Sequence, residues 1–467
     1  MRNGSGPATA IYADIGRDFL ERHERTAPAF KAAMAVCGML LVLGIVGFVL
    51  RLTDGVDNKV LWGYHAALFA FILTTCQAAP MAAIAPRMAK AEWRRPISRT
   101  AEMFTAVGVF NLLLFIPLLW VLPSLEDERR SLWFFGAGGA DSEYMNVPVY
   151  SPHIWTGLAL VSLVVIGVMM LWVSALPDLA TMRDHSSGWR QRWGSRLARG
   201  WYGTSKQWHM QKNRLGILGA FYFLMLVFVH FLVSVDFAMT LIPGWIDALY
   251  PATHAANALQ AGAATVIVTM YVLHRWCGYK DIITLEHFWG LGKLMFALSL
   301  LWFWFWFSSF IILWYGKKPS EQAAIELLMT GPYWPIFLTT FLLCFVVPLF
   351  VLMWNPVRRS IAGPTLIACG VLVGTLLDRI RLYVGAYSVA DQSHKKELSL
   401  DAIPPAHTPG LEDILLILGV LGGSVLVYLL ATRVIPIVNI WERKEGSMYE
   451  WHKPFHRTEV KVLAKPE

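Results

Sequence analysis

Charged residues interrupt a long apolar stretch in the last third of the chain. The string LLDRIR places Asp378, Arg379 and Arg381 among aliphatic residues. A charge at the centre of a membrane-spanning helix costs roughly 3 kcal/mol on insertion scales, so it needs a partner or a purpose. Asp378 and Arg381 are expected to neutralise each other, because residues three apart share a helix face. The three residues either take part in proton transfer or only hold neighbouring helices together.

Four other polar residues lie within apolar stretches or at their ends. His230 and Asp236 occur in the string VHFLVSVDFAM, whereas Glu102 and Lys293 each begin an apolar stretch. Polar groups at both ends of a helix bundle are typical of a proton route or of a buried ion-pair network. The alternatives are that Glu102 and Lys293 extend to the membrane surface, and that His230 is a hydrogen-bonded core histidine.

The stretches that must position these residues are long enough to cross a membrane. A bilayer core of about 30 Å needs roughly 20 apolar residues in a helix. Ten segments meet this requirement, which predicts an all-α, polytopic membrane protein. They are 30–50, 60–84, 101–122, 154–176, 215–240, 252–273, 290–314, 333–354, 361–385 and 411–432.

The amino-acid composition is that of a membrane protein. Of the 467 residues, 56% are hydrophobic and 15% are charged, whereas about a quarter are charged in soluble proteins. The 21 Trp and 26 Phe suit the aromatic belts at membrane surfaces. Most of the 40 Lys and Arg residues fall in alternate loops and in both tails, which predicts cytoplasmic tails. Because the net charge of +8 comes from these loops, it does not indicate nucleic-acid binding.

The five cysteines are scattered along the chain, and most of them lie inside apolar stretches. No CxxC spacing occurs, so the sequence predicts neither an iron–sulfur cluster nor a structural zinc. We therefore expect no covalently bound or metal-bound cofactor in this chain.

Four strings are distinctive in combination, namely RRPISRTAEMFT, WVSALPDLATMRD, SVDFAMTLIPGW and LEHFWGLGKLMFA. With them the chain resembles the NrfD or polysulfide-reductase family of membrane subunits. It is most similar to the two such subunits of alternative complex III, a bacterial quinol:cytochrome c oxidoreductase. The string LLDRIR resembles a Glu-Arg position of the family, with Asp378 in place of Glu. The resemblance covers roughly residues 60–435.

The resemblance implies two four-helix bundles, spans two to five and spans six to nine, with the first and tenth helices at their flanks. The chain then divides into a cytoplasmic tail, a flanking helix, a first bundle as candidate quinone side, a second bundle as candidate proton route, a last flanking helix and a cytoplasmic tail. The bounds of these parts are 1–29, 30–50, 60–240, 252–385, 411–432 and 433–467.

The resemblance also implies a quinone substrate, menaquinone or ubiquinone, near the outer face. Its carbonyls need hydrogen-bond donors, and quinol oxidation needs a proton acceptor that works near pH 7. His153, at the outer mouth of span four, is the best-placed imidazole, although an ordinary interfacial histidine is the alternative. The remaining quinone-binding candidates are Tyr150, Trp155, Tyr64, His65 and Gln77.

Two departures from the family pattern concern this quinone site. Gln77 occurs in a stretch where quinol-binding members carry a histidine on helix two. After span three the chain reads LWVLPSLEDER and lacks the His-x-Gly-Arg-Pro motif of those members. Both departures favour a chain that has no quinone site of its own.

The sequence therefore favours a quinone-interacting, integral-membrane subunit of a multi-subunit electron-transfer complex in the bacterial inner membrane. Expected partners are an iron–sulfur subunit, c-type cytochrome subunits and a second NrfD-like subunit, and proton translocation is an expected further role. The alternative is a scaffold or proton-conducting subunit that binds no quinone. A secondary transporter is a third hypothesis, but only Pro117 and Pro348 approach the symmetric mid-span breaks that it requires.

Overall fold

The computed structural model describes residues 16, 18, 20–22, 27–122, 151–391, 399–400, 402–448, 450–455 and 458–463. The helices are α1 (Pro28–Thr53), α2 (Gly63–Thr75), α3 (Met81–Met88), α4 (Ser98–Val121), α5 (Ser151–His185), α6 (Gly188–Leu197), α7 (Ser205–Asp236), α8 (Tyr250–Trp276), α9 (Leu285–Gly316), α10 (Pro319–Ile325), α11 (Trp334–Leu352), α12 (Ala362–Arg379), α13 (Leu411–Val434) and α14 (Ile440–Met448). Short helical turns occur at Lys59–Trp62, Glu92–Arg94, Met239–Leu241, Glu326–Thr330, Asn355–Arg358, Ile380–Val384 and Gly385–Tyr387.

Eight helices in the described part of the chain are long and apolar enough to cross a membrane. They are α1, α4, α5, α7, α8, α9, α11 and α13, and each coincides with a span predicted from the sequence. The chain is thus a multi-pass helical protein whose apolar helices match a bilayer in length.

The two other predicted spans, at 60–84 and 361–385, are helical but interrupted. In the first, α2 ends at Thr75, and a turn that contains Pro80 separates it from α3. In the second, α12 passes into a π-helical turn at Ile380–Val384, immediately after Asp378 and Arg379. Proline and inserted polar residues are ordinary causes of such breaks, and both breaks adjoin buried polar groups.

The first and last of these apolar helices pack directly against each other. Glycines permit the close approach: a Cβ atom built on Gly44 of α1 would lie 2.4 Å from the Cα of Gly419 of α13. Arg51, at the end of α1, forms an ion pair of 2.7 Å with Asp413 at the start of α13. The two helices that were predicted to flank the bundles therefore form one pair.

Helix α8 lies at the centre of the molecule. Its most apolar window is 72% buried, more than that of any other of the eight candidate spans. It packs against α2, α7, α9 and α12, because its many Ala and Gly residues allow neighbouring backbones to come close. A Cβ on Gly262, for example, would lie 2.6 Å from the carbonyl carbon of Ala78. The helices of the two predicted bundles thus meet around α8.

One end of the molecule, here called the arginine-rich end, carries Arg87, Arg94 and Arg99 and contacts described residues of both tails. Arg22 of the N-terminal segment contacts Asp281 at 3.0 Å, beside the connection between α8 and α9. Helix α14 of the C-terminal segment lies next to α5. The described parts of the two tails therefore share one end of the bundle.

Beyond α14 the chain forms a β-hairpin that the sequence patterns did not indicate. Strands β1 (Glu450–Phe455) and β2 (Thr458–Leu463) pair antiparallel, with Glu450 opposite Leu463. The hairpin is the one sheet among the described residues, and it lies outside the apolar helices.

Candidate functional site

A group of buried polar side chains, here called the central network, connects α2, α7, α8 and α12. Each helix contributes at least one member. The network therefore lies where the two predicted bundles meet; residues 60–240 are here called the first half of the bundle and residues 252–385 the second half. Its members are Thr74, His230, His254, Asn257, Asp378, Arg379, Arg381 and Tyr383.

Arg379 is fully buried and holds the centre of this network. Its Nε donates to Thr74 Oγ1 at 3.0 Å, and its Nη2 donates to Asn257 Oδ1 at 2.7 Å. Its Nη1 lies 3.2 Å from Asp378 Oδ2. The guanidinium thus binds groups on α2, α8 and α12, which compensates the cost of burying its charge.

Asp378 lies between two arginines. Arg381 Nη2 is 2.7 Å from Asp378 Oδ1, which is the pair expected from their spacing in the sequence. Arg381 also donates to the carbonyl of Leu328, which belongs to the π-helical turn Glu326–Thr330. A π-helical turn leaves a carbonyl without its usual helical donor, and the buried arginine supplies a substitute.

The two histidines of the network form a hydrogen-bonded pair. His230 Nδ1 and His254 Nδ1 are 2.8 Å apart, and His254 Nε2 is 3.2 Å from the hydroxyl of Tyr383. One Nδ1 must carry a proton and the other must accept it, so the pair shares a single proton along this contact. Asp236 is also buried, at the C-terminal end of α7, where Thr240 donates to its backbone carbonyl.

A cavity of about 40 Å³ adjoins the central network. Its lining includes Asp378, Arg381 and Tyr250 together with Asp247 and Ser309. A water molecule needs about 10–15 Å³ of such space and two to four polar partners, so the cavity has room for a few waters. Asp247 accepts backbone N–H bonds from two residues at the start of α8, and burial raises the pKa of this carboxyl.

A second buried group, here called the ionic cluster, lies at the arginine-rich end. Glu102 is fully buried, pairs with Arg87 and accepts a hydrogen bond of 2.5 Å from Ser174. Arg99 is also fully buried and lies 3.1 Å from Asp178. The cluster contains equal numbers of acidic and basic residues, which balances its charge. Its charged members are Arg87, Arg94, Arg99, Glu102, Asp178 and Glu442.

Glu102 and Lys293 do not share a site, although the sequence placed them at the same level. Glu102 belongs to the interior and does not extend to the membrane surface. Lys293 is exposed, and its Nζ lies 3.8 Å from the centre of the Trp289 ring. A cation over an aromatic face at a membrane surface is a stable arrangement in itself.

The C-terminal segment completes the ionic cluster. Glu442 of α14 is fully buried and lies 2.6 Å from Arg94, while the backbone N–H of Trp441 donates to Asp178. Burial opposes the charge of Glu442, but Arg94 and Arg87 outweigh it and lower the pKa of this carboxyl. The C-terminal segment is therefore fixed to the bundle by buried charges.

Four of the candidate quinone-binding residues are buried in the first half of the bundle, namely His153, His65, Tyr64 and Gln77. His153 Nε2 lies 3.3 Å from the carbonyl of Leu122, and His65 Nε2 lies 2.7 Å from the carbonyl of Leu114. Both rings are at most 9% exposed. Neither residue lines the cavity beside the central network.

The remaining candidates are divided among different environments. Tyr64 donates to the backbone carbonyl of His407 at 2.9 Å, and Gln77 accepts from Asn111 at 2.7 Å. Trp155 is half exposed on the outside of α5. Tyr150 lies outside the described residues. The structure thus brings two imidazoles into the interior but gives each of the five described candidates its own hydrogen-bond partner or surface.

Several members of the polar groups were not anticipated from the sequence. Asn257 and Gln260 are three residues apart on α8, and this spacing of amides in an apolar helix was an available signal. Gln260 donates to the carbonyl of Cys344, which belongs to another π-helical turn, Leu342–Val346, inside α11. The contacts of Asp178 with the C-terminal segment had no local signal, because 263 residues separate the partners.

Eight apolar helices around buried ion pairs define a multi-pass membrane protein. The sequence profile of the family described as "Polysulphide reductase, NrfD" matches residues 53–390. Because this match covers more than half of the chain, the chain belongs to the NrfD family, as the sequence strings indicated. A search of curated proteins found no significant match.

Proposed function

We propose that this chain is a quinone-interacting membrane subunit of a multi-subunit electron-transfer complex of the alternative complex III kind. The observation that carries the proposal is the family match over residues 53–390. NrfD-family subunits typically interact with quinone and work with iron–sulfur subunits in membrane redox complexes. Quinol enters from the lipid, gives two electrons to the iron–sulfur cluster of a partner subunit, and releases two protons.

The two buried imidazoles of the first half are the proposed proton acceptors for quinol. A neutral imidazole accepts a proton near pH 7 and can pass it on through its second nitrogen. His153 and His65 lie at the end of the bundle opposite to the arginine-rich end, close to the ends of their helices. Tyr150, Tyr64, Trp155 and Gln77 are proposed to surround the quinone ring.

The central network is the proposed proton route of the second half. Its hydrogen bonds run from His230 through His254 to Tyr383, and the adjoining cavity has room for water. Hydrogen-bonded chains of this kind inside a membrane are a general means of moving protons. Asp236 and Asp378 are the proposed exchanging carboxyls, with Glu102 and Lys293 at the arginine-rich end.

The proposed arrangement in the cell follows from the charge pattern. Ten spans, with the interrupted segments 60–84 and 361–385 included, bring both tails to the same side, and the positive-inside rule makes that side cytoplasmic. The proposed location is the bacterial inner membrane. The proposed partners are an iron–sulfur subunit, c-type cytochrome subunits and a second NrfD-like subunit.

The deciding experiment is quinone content and inhibitor-sensitive quinol oxidation in the purified complex. We expect His153→Ala to lose both while the subunits still assemble, whereas His153→Gln should retain quinone but oxidise quinol slowly, because an amide donates a hydrogen bond but accepts no proton. The matched control is His209→Ala, at an exposed histidine of the arginine-rich end. Unchanged activity in His153→Ala would remove His153 from the proposal.

The second candidate function is a proton-conducting or scaffold subunit without a quinone site. It is favoured by the separate hydrogen-bond partners of the quinone candidates, since Tyr64 and Gln77 are each engaged within the protein. Purified complex that holds quinone, but none within cross-linking distance of this chain, would establish this second function. A photoreactive quinone analogue, followed by identification of the labelled subunit, makes that distinction.

A further inference from the structure

A long groove opens on the lipid-facing side of the molecule, between α8 and α13. Its volume is about 1130 Å³, and its floor includes Ile72 of α2, Cys76 directly after α2 and Phe104 of α4. One wall runs along α8 from Thr265 to Trp276, and the other runs along α13 from Leu421 to Arg433. Both walls begin near the middle of their helices and end at the arginine-rich end.

The length of the groove matches one leaflet of a bilayer. Leu421 and Arg433 are twelve residues apart, which corresponds to about 18 Å along a helix. Half of a hydrocarbon core is roughly 15 Å thick. The groove therefore extends from the membrane surface to the middle of the membrane and ends there.

The inside of the groove offers apolar contact and few free hydrogen-bonding groups. Thr265 and Thr269 donate to carbonyls one turn earlier in α8, and Tyr428 donates to the carbonyl of Thr100. Val268, Val272 and the other aliphatic residues of the walls supply most of the surface. A flexible hydrocarbon chain meets these conditions, whereas a polar ligand would lose its hydrogen bonds to water.

The mouth of the groove carries two arginines and two aspartates. Arg433 lines it and lies over the Phe30 ring at 4.6 Å. Arg22 also lines the mouth, where Asp18 and Asp281 balance its charge. Arginine binds a phosphate group through two parallel hydrogen bonds, so Arg433 is the group at the mouth that suits the phosphate of a lipid at the membrane surface.

We infer that this groove binds a phospholipid of the leaflet at the arginine-rich end, with an acyl chain between α8 and α13 and the phosphate at Arg433. A membrane-spanning helix of a partner is a poor match, because it would extend through about 30 Å whereas the groove stops halfway. This site is separate from the proposed quinone and proton sites, so it does not depend on the proposed function.

The test is native mass spectrometry and lipid analysis of the protein purified in mild detergent with its natural partners. The wild type should retain a phospholipid in a fixed ratio to the chain. Arg433→Gln, which removes the charge, should retain about tenfold less, as the loss of one charge-assisted contact implies. Val425→Trp, which fills the groove, should also lose lipid, because the indole ring occupies the space of the acyl chain.

Two matched controls keep the test specific. Leu430→Trp changes a half-exposed residue of α13 outside the groove, and Arg275→Gln removes an exposed charge at the same end of α8. Both should retain lipid as the wild type does. Equal lipid in wild type, Val425→Trp and Arg433→Gln would overturn the inference, and so would a cross-link from Val425→Cys to a helix of a partner subunit in the intact complex.

Discussion

Asp378 compensates two buried positive charges at once. Its carboxyl oxygens lie 3.2 Å from Arg379 and 2.7 Å from Arg381, and all three side chains are nearly inaccessible. A neutral side chain at this position would remove the carboxylate that both guanidinium groups share, and their positive charges would then be less well compensated in a medium of low dielectric constant. The structural and the proton-transfer roles of Asp378 are therefore separable only if the charge balance is restored.

We expect Asp378→Asn to destabilise the protein by about 3–5 kcal/mol, the usual cost of breaking a buried ion pair. The double variant Asp378→Asn with Arg381→Gln removes one charge of each sign and should recover much of this stability. Thermal unfolding of the purified protein measures both effects. Asp391→Asn, at an exposed carboxylate paired with Lys59, is the control and should change stability by less than about 1 kcal/mol.

Proton release per quinol oxidised, measured in the stable double variant, then tests the role of Asp378 itself. If Asp378 exchanges protons, the double variant should assemble normally but show slower or uncoupled turnover. Wild-type turnover and proton stoichiometry in that variant would assign Asp378 a purely structural role beside Arg379.

At this scale the sequence was informative about pairs on one helix and uninformative about pairs between helices. The contact of Asp378 with Arg381 followed from a spacing of three residues. The contact of His230 with His254 joins two helices, and no local pattern indicated their register. For the same reason the sequence did not indicate Arg87 as the partner of Glu102.

Among the helices, two of the described π-helical turns, Glu326–Thr330 and Leu342–Val346, have a shared function in packing. Arg381 binds the carbonyl of Leu328 in one turn, and Gln260 binds the carbonyl of Cys344 in another. Each turn presents a backbone acceptor to a buried donor from a neighbouring helix. Irregular helix geometry and buried polar residues therefore occur together in the second half of the bundle.

The pair formed by α1 and α13 depends on glycine at the contact. We expect Gly44→Ala to destabilise the protein by about 1–3 kcal/mol, because its new Cβ would lie 2.4 Å from the Cα of Gly419 and the helices must move apart. The midpoint of thermal unfolding is the measurement. Gly38→Ala on the same helix meets no atom within 4 Å and should leave the midpoint unchanged, and equal midpoints for both variants would show that α1 and α13 are not in close contact.

The existence of the helices was predictable, but their irregularities were not. Hydrophobic length alone located all eight helices that are long and apolar enough to cross a membrane. The break before Pro80 and the π-helical turn at Ile380–Val384 adjoin a contact between two helices, which no local pattern indicates. Thr74 lies just before the break, Arg379 lies just before the π-helical turn, and Arg379 donates a hydrogen bond to Thr74. The hairpin from Glu450 to Leu463 is short and lies in a polar tail, where strand patterns have little hydrophobic support.

At the scale of the whole molecule, the number of spans determines which loops share a side of the membrane. Cys277 is exposed at the arginine-rich end, and three of the predicted spans, 290–314, 333–354 and 361–385, separate it from Asp391. If all three cross the membrane, the two positions face opposite sides. If the interrupted segment 361–385 enters and leaves on one side, they face the same side.

We expect a membrane-impermeant maleimide to label Cys277 only from the cytoplasmic side and Asp391→Cys only from the other side. The measurement uses sealed vesicles of known orientation. Cys277→Ser supplies the background for the second variant, and the replaced carboxylate is 59% exposed, so its salt bridge contributes little to stability. Labelling of both positions from one side would exclude ten spans.

The contact of α1 with α13 also has a consequence for biosynthesis. Arg51 meets Asp413 across 362 residues of sequence, so α1 must remain in the bilayer without its partner until α13 has been made. At roughly 5–20 residues per second, this interval lasts on the order of 20–70 s. Only 11% of the most apolar window of α1 is buried even in the finished bundle, so lipid or the insertion machinery must shelter this helix meanwhile. Closure of the bundle is thus a late event in translation, and a ribosome that stalls before α13 leaves an open chain for quality control to remove.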